Sequence, residues 1–304
     1  MAVTPIPDAD ASNEVNLTRR QRTLWSDGLR RFYQNRLAMF GLVLVLFFLF
    51  LAIFADFLTP YRYDQADFSK VLQFPFIDPT HPLGNDEVGR DFLSRLIYGA
   101  RTSLTVGLAV QLIAFGIGIP LGAFAGYRGG AVDFVVMRIV DVMTAFPGLL
   151  FAIFLITIWG GGLEKVILVL GLTSWIGATR LTRAQFLTLR EKEFVGAARA
   201  VGATQRRVIF RHILPNALTP LLVAVSFGIP AAIFAEASLS FLGIGVNDPL
   251  PSWGKMVGVS GAYIRVFWHI GLFPTILIAL TMLGFSFVGD GLRDALDPKL
   301  TINK

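Results

Sequence analysis

Between Leu37 and Ala55 the chain runs LAMFGLVLVLFFLFLAIFA without one charged side chain. About 20 apolar residues in a row let a helix cross the hydrocarbon of a bilayer. Further apolar stretches follow near 103–127, 134–159, 166–181, 218–239 and 268–288. This clustering, more than the 54% hydrophobic total, argues against a water-soluble domain, and only 16% of residues are charged. The sequence predicts an all-α integral membrane protein with six transmembrane helices.

Charge sets the orientation. The net charge of +6 lies in segments beside the spans, the bias of cytoplasmic loops, and not in a nucleic-acid patch. Arg19, Arg20, Arg22, Arg30, Arg31 and Arg36 precede the first span, with Trp25, Phe32 and Tyr33 between them. Residues 1–36 read as a cytoplasmic tail, disordered over 1–18, followed by an interfacial helix. The first span, 37–59, ends before Pro60 and is too long for a signal-peptide core of about 7–15 residues. An even number of spans then puts both termini inside. There are no cysteines and only three histidines. Disulfides and thiolate metal sites are excluded, and a histidine metal site is not expected.

Residues 60–100 fall outside. Phe92, Leu93, Leu96 and Ile97 share one face, which predicts a helix along the outer membrane surface. Gly118, Gly122 and Gly126 repeat every four residues and form a strip for close helix packing. In the third span Arg138 and Asp141 are one turn apart and are expected to neutralise each other; Pro147 is expected to kink it. Gly160–Gly162 make an outer turn. Pro230 and Pro274 kink the fifth and sixth spans, and Glu236 lies near the outer end of the fifth. Residues 246–266 read as outside and interfacial, with Trp253, Met256 and Tyr263. Residues 292–304 form a cytoplasmic tail.

One polar stretch interrupts the spans, Arg180 to Asn216 (RLTRAQFLTLREKEFVGAARAVGATQRRVIFRHILPN). Its excess of arginine places it inside. Phe194, Ala197, Ala198 and Val201 recur at helical spacing. Gly202 breaks the pattern and tolerates the positive φ of a turn. Thr204 can cap a second short helix with Val208, Ile209 and His212 on one side, and Pro215 limits its continuation.

Ala197, Ala198, Gly202 and Ile213-Leu214-Pro215 resemble the Glu-Ala-Ala…Gly…Leu-Pro loop of membrane subunits of ATP-binding-cassette (ABC) importers. The motif's glutamate falls on Gly196, and Glu193, one turn earlier, is the candidate to take over its contact. Leu83-Gly84, Gly89-Arg90-Asp91, DVMTAFP (141–147), SLSFLGIG (238–245) and GDGLRDALDP (289–298) resemble the C-type permeases of dipeptide and oligopeptide importers. The likeness covers most of the chain after Arg30. It implies a type I permease fold with a core domain over 101–291. Loop 182–216 would dock on an ATPase through Glu193, Gly196, Ala197, Ala198, Gly202, Ala203, His212, Leu214 and Pro215. It also implies a homologous permease partner, two ATP-binding subunits, an extracytoplasmic substrate-binding protein and a peptide substrate, with nickel or glutathione as alternatives.

The chain has no GxxxxGK[ST] loop, G-x-S-x-G or H-E-x-x-H. ATP would be held by the partner subunits, and no cofactor is expected on this chain. A stand-alone secondary transporter is the alternative from another class, with Asp141 and Glu236 as its proton carriers. Asp141, Phe146 and Glu236 are also the candidates for lining a pathway.

Overall fold

A computed structural model describes residues 24–296, with side chains from Gly28. The tail expected over 1–18, Arg19, Arg20, Arg22, the Trp25 side chain and residues 297–304 lie outside the described residues. The elements in order are α1 (Leu24–Gln34), α2 (Arg36–Ile53), α3 (Ala55–Leu58), a 3₁₀ turn (Phe68–Lys70) and α4 (Phe92–Arg128). Next come α5 (Gly130–Thr144), α6 (Gly148–Trp159), α7 (Leu163–Arg190), α8 (Glu193–Ala200) and α9 (Gln205–Arg207). A π-helical stretch (Val208–Ile213), α10 (Leu214–Phe241), α11 (Trp253–Ser260) and α12 (Trp268–Leu296) complete the chain. Among the described residues the only extended pairing is two isolated bridges, Ala66–Arg90 and Asn85–Asp91.

Four helices are long and apolar enough to cross a membrane: α2, α4, the continuous Gln205–Phe241 helix and α12. α5 and α6 meet the same test only together and are bent by 80° at their junction. The bend falls at Pro147, which precedes α6 and has no N–H to continue the α5 ladder. The kink expected from Pro147 is therefore a break.

The most extensive helix pair is α4 with α7. It forms because Gly118, Gly122 and Gly126 lie against Ala178, Thr179, Thr182, Arg183 and Phe186. A Cβ on Gly126 would come 2.7 Å from the Arg183 carbonyl oxygen, so only glycine lets the backbones approach this closely. At Gly41 the same device seats α2 on α12, where a Cβ would come 2.7 Å from the Gly284 carbonyl oxygen. α1 closes the end of α12, with Phe32 buried against Ala38 and Ala295.

Two surface helices expected from sequence are instead part of the protein interior. Phe92–Ile97 is the first turn and a half of α4, and Phe92, Leu96 and Ile97 are buried. Trp253 is fully buried: its ring meets Phe48 edge-on and its Nε1 donates to the Leu96 carbonyl at 2.9 Å. Met256 is buried beside it. The amphipathic faces are real, but neighbouring helices cover them rather than lipid headgroups. Helix α12 continues to Leu296, so the described part of the expected tail, 292–296, is helical.

The Arg138–Asp141 pair is corrected as well. Asp141 accepts from Arg180 on α7 at 3.1 Å, while the Arg138 guanidinium lies over the Phe134 ring. Both candidates for Asp141 sit about one helical turn or one helix away, and the cross-helix arginine wins because α7 packs beside α5.

Candidate functional site

The polar loop between α7 and α10 folds as a helix, a left-handed turn and a second helix. Val195 and Ala198 form the buried face of α8, packed with Phe186, Val208, Ile213, Ala217 and Leu221. Phe194, Ala197 and Val201 point the other way, and Val201 is 86% exposed. Phe194, Ala197 and Val201 thus share one exposed face, as their spacing predicts, while Ala198 falls on the buried one.

Gly202 has φ +82°. Its N–H donates to the Arg199 carbonyl at 2.9 Å, and Ala203 N–H donates to the Ala198 carbonyl at 3.0 Å. These two bonds satisfy the last carbonyls of α8 in the arrangement called a Schellman motif, whose positive-φ position favours glycine. Ala198 is buried beneath the turn and Ala203 packs against the same apolar cluster. Thr204 Oγ1 then caps α9 by accepting from Arg207 N–H. A Cβ on Gly196 or Gly202 would meet nothing within 4 Å. Glu193, Gly196, Ala197 and Gly202 are all exposed, so the turn presents an open, small-residue surface.

Pro215 does not stop the second helix. Leu214 N–H reaches back five residues to the Ile209 carbonyl, and Asn216 Nδ2 bonds the His212 carbonyl at 2.6 Å. The wider π turn accommodates the proline, whose nitrogen has no hydrogen to donate. Leu214, Pro215 and half-buried His212 thereby join the loop rigidly to α10.

The loop's arginines divide into two groups. Arg180 pairs with Asp141, Arg183 with Asp133, and Arg190 donates to the Gly126 carbonyl at the end of α4. Among the described residues Lys192, Arg199, Arg206, Arg207 and Arg211 make no ion pair, and Arg199 lies over the Tyr127 ring.

At the opposite end of the helices, residues 60–91 and 246–260 form a cap built on buried charge. Asp86 accepts from Arg90 at 2.6 Å and lies 3.1 Å from Arg95; Arg90 also binds Glu87 at 3.0 Å. Asp91 caps α4 by accepting from Ser94 N–H and is held by His81 at 2.9 Å. Gly84 and Gly89 have φ of +77° and +81° and lie against the backbones of Gln73 and Asp67. The Leu83-Gly84 and Gly89-Arg90-Asp91 elements are therefore structural parts of this cap. Burial, and next the neighbouring Asp86, push the Glu87 carboxyl up.

The three pathway candidates do not come together. Glu236 is fully buried and accepts from Ser240 Oγ at 2.7 Å. Asp141 and Phe146 are exposed on α5 and at the α5–α6 break. A cleft of about 440 Å³ lies elsewhere, between α4, α7 and α10, and none of the three lines it. Its polar lining is Gln111, Thr173 and Ser174, which sequence reasoning missed. Gln111, a lone amide in an apolar run, was the available signal.

Comparison with known proteins agrees with this geometry. Residues 118–302 match the family of binding-protein-dependent transport system inner membrane components. Residues 23–75 match the N-terminal transmembrane domain of oligopeptide transport permease C. The chain is 40% identical to the oligopeptide transport system permease protein OppC of Bacillus subtilis, over 96% of this chain and 95% of that one. It is 41% identical to the dipeptide transport system permease protein DppC of Alkalihalophilus pseudofirmus, over 91% and 90%. It is 39% identical to the glutathione transport system permease protein GsiD of Pectobacterium atrosepticum, over 92% of each. An inward-facing structure of the MetNI methionine ABC transporter shares the fold, with a TM-score of 0.53 and 22% identity over 67% of this chain and 97% of that one. Fold, loop geometry and sequence together place the chain in the family of inner-membrane permease components of binding-protein-dependent ABC importers.

Proposed function

We propose that the chain is the non-catalytic permease subunit that forms half of a peptide translocation pathway, paired with a homologous permease. One of two ATP-binding subunits docks on α8 and the Gly202 turn, and an extracytoplasmic binding protein delivers peptide to the capped end. The observation that carries this reading is the left-handed turn at Gly202. It holds the open surface of Gly196, Ala197 and Val201 away from the helices and joins it to α10 through the π turn. Force applied to the loop would thus reach a membrane helix directly.

In this reading the bent α5–α6 pair is one span and α7, at 28 residues, is the sixth. Both termini then lie inside. Glu193 opens α8 one turn before Gly196, which supports its standing in for the motif's glutamate. The identity to peptide and glutathione permeases supports peptide-like substrates. The test is reconstitution: the complex with a sister permease and two ATPases, in proteoliposomes, is expected to take up peptide only with ATP and loaded binding protein. Uptake by this chain alone, driven by a proton gradient, would instead establish the secondary-transporter reading.

A further inference from the structure

The cleft between α4, α7 and α10 has features that the buried Glu236 and exposed Asp141 lack. Gln111, Thr173–Ser174 with Gly177, and Gly228 lie close to the midpoints of α4 (92–128), α7 (163–190) and α10 (214–241). The cleft thus sits at mid-depth of three helices packed on one another, where polar side chains are costly and mark pathways or interior contacts. One wall, on α10, is Ala224, Gly228, Ala231 and Ala235, a single helical face of small residues. Small residues alone would mean helix packing. Here they border an open space, with Gly177 and Ala231 exposed at its edge and nothing within 4 Å of a Cβ on Gly177.

The chemistry of the lining is uniform. No charged side chain borders the cleft. Its polar groups are an amide and two hydroxyls, which both donate and accept. Gln111 is held across the α4–α10 contact by its Nε2, which donates to the Gly228 carbonyl at 2.9 Å. Such groups match the N–H and C=O of a peptide main chain. They offer no counter-charge to acidic or basic side chains, and they impose no like-charge repulsion either.

We propose that this cleft is the part of the translocation path contributed by this subunit, and that it receives peptides by their main chain without selecting on side-chain charge. The inference rests on the permease reading and adds to it where the peptide passes and what it is read by.

The experiment uses the reconstituted full transporter and three tripeptides of equal length, Ala-Ala-Ala, Ala-Asp-Ala and Ala-Lys-Ala, each at saturating loaded binding protein. The wild-type transporter is expected to carry the three at rates within about threefold of one another, less than the tenfold that 1.4 kcal/mol of discrimination would give. Gly177→Trp, at a position where an added Cβ meets nothing within 4 Å, is expected to stop uptake of all three while the sister permease and ATPases still co-purify. Ser174→Asp is expected to slow Ala-Asp-Ala about tenfold relative to Ala-Lys-Ala, through like-charge repulsion in a low-dielectric site. Wild-type uptake by both variants would overturn the assignment of the cleft while leaving the permease reading intact. Loss of the sister permease from Gly177→Trp would show that a partner helix, and not peptide, fills the cleft. Absence of any peptide uptake by the wild-type complex would remove both readings together.

Discussion

The two ends of the helix bundle use charge in opposite ways. In the cap over 60–91 and 246–260, charges are buried and neutralised within the chain: Asp86 is 2% exposed, Arg95 3% and Arg90 7%. At the loop between α7 and α10, Lys192, Arg199, Arg206, Arg207 and Arg211 are without an ion-pair partner among the described residues, and Phe194 and Val201 are exposed beside them. The first surface is complete in itself. The second is finished only on its inner side, by Val195 and Ala198. The open end is the one on which the proposed ATPase would dock.

The sharpest way to break this comparison is to unbalance the cap. Asp86→Ala would leave the Arg90 and Arg95 guanidiniums facing each other with too little negative charge. Removing one member of a buried charge network typically costs about 3–5 kcal/mol. Membrane abundance of the variant is expected to collapse, and normal abundance would mean that the cap is not a structural unit.

At the loop the expectation is reversed. Val201→Ser or Arg207→Ala touches an exposed side chain, so stability should stay within about 0.5 kcal/mol of wild type and abundance should be unchanged. Co-purification of the ATPases should nevertheless fall. Equal loss of abundance at both ends would erase the distinction drawn above.

Proton concentration offers a weaker probe of the same contrast. Lys70 and then the Thr80 donors hold Asp78 below the usual carboxylate range. Burial pushes Asp248 up, but the bond from Lys255 and the nearby Arg90 outweigh it and leave it lowered. For a lowered carboxyl the stabilisation is present above the ordinary value, about 4, and is lost as pH falls through the lowered one. Glu87, which is raised, acts in the opposite sense: its penalty appears as pH rises from the ordinary value through the raised one. Protease sensitivity of the cap should therefore increase as pH drops below about 4, less so in Asp78→Asn. The loop, which has no buried carboxyl among its described residues, should show a smaller change.

Much of this architecture was legible in the sequence because it is local. The apolar runs identified α2, α4, α10 and α12, the glycine strip identified the α4 face that meets α7, and Gly202 marked the left-handed turn. What failed depended on partners remote in the chain. One-turn spacing pointed to Arg138 for Asp141, whereas Arg180 lies on a neighbouring helix. The apolar faces of Phe92–Ile97 and Trp253–Met256 were visible, but amphipathicity does not say whether lipid or protein covers a face. Glu236 shows the limit of local spacing: Ser240, one turn on, donates to it, but the sequence does not say that the pair faces the interior. Pro215 read as a limit because a π turn, which absorbs it, has no sequence pattern as plain as a helical period.

The central claim is that the Gly202 turn presents a docking surface for an ATPase. Gly202→Asp tests it most directly. Nothing lies within 4 Å of the added Cβ, and aspartate is one of the few residues that tolerate positive φ, so the cost to the subunit itself should be on the order of 1 kcal/mol. The variant is expected to be inserted and abundant, with peptide uptake abolished. The ATPases should no longer co-purify, or their hydrolysis should no longer respond to loaded binding protein. Wild-type uptake with normal ATPase co-purification would contradict the claim and leave the loop as a basic connector between two helices.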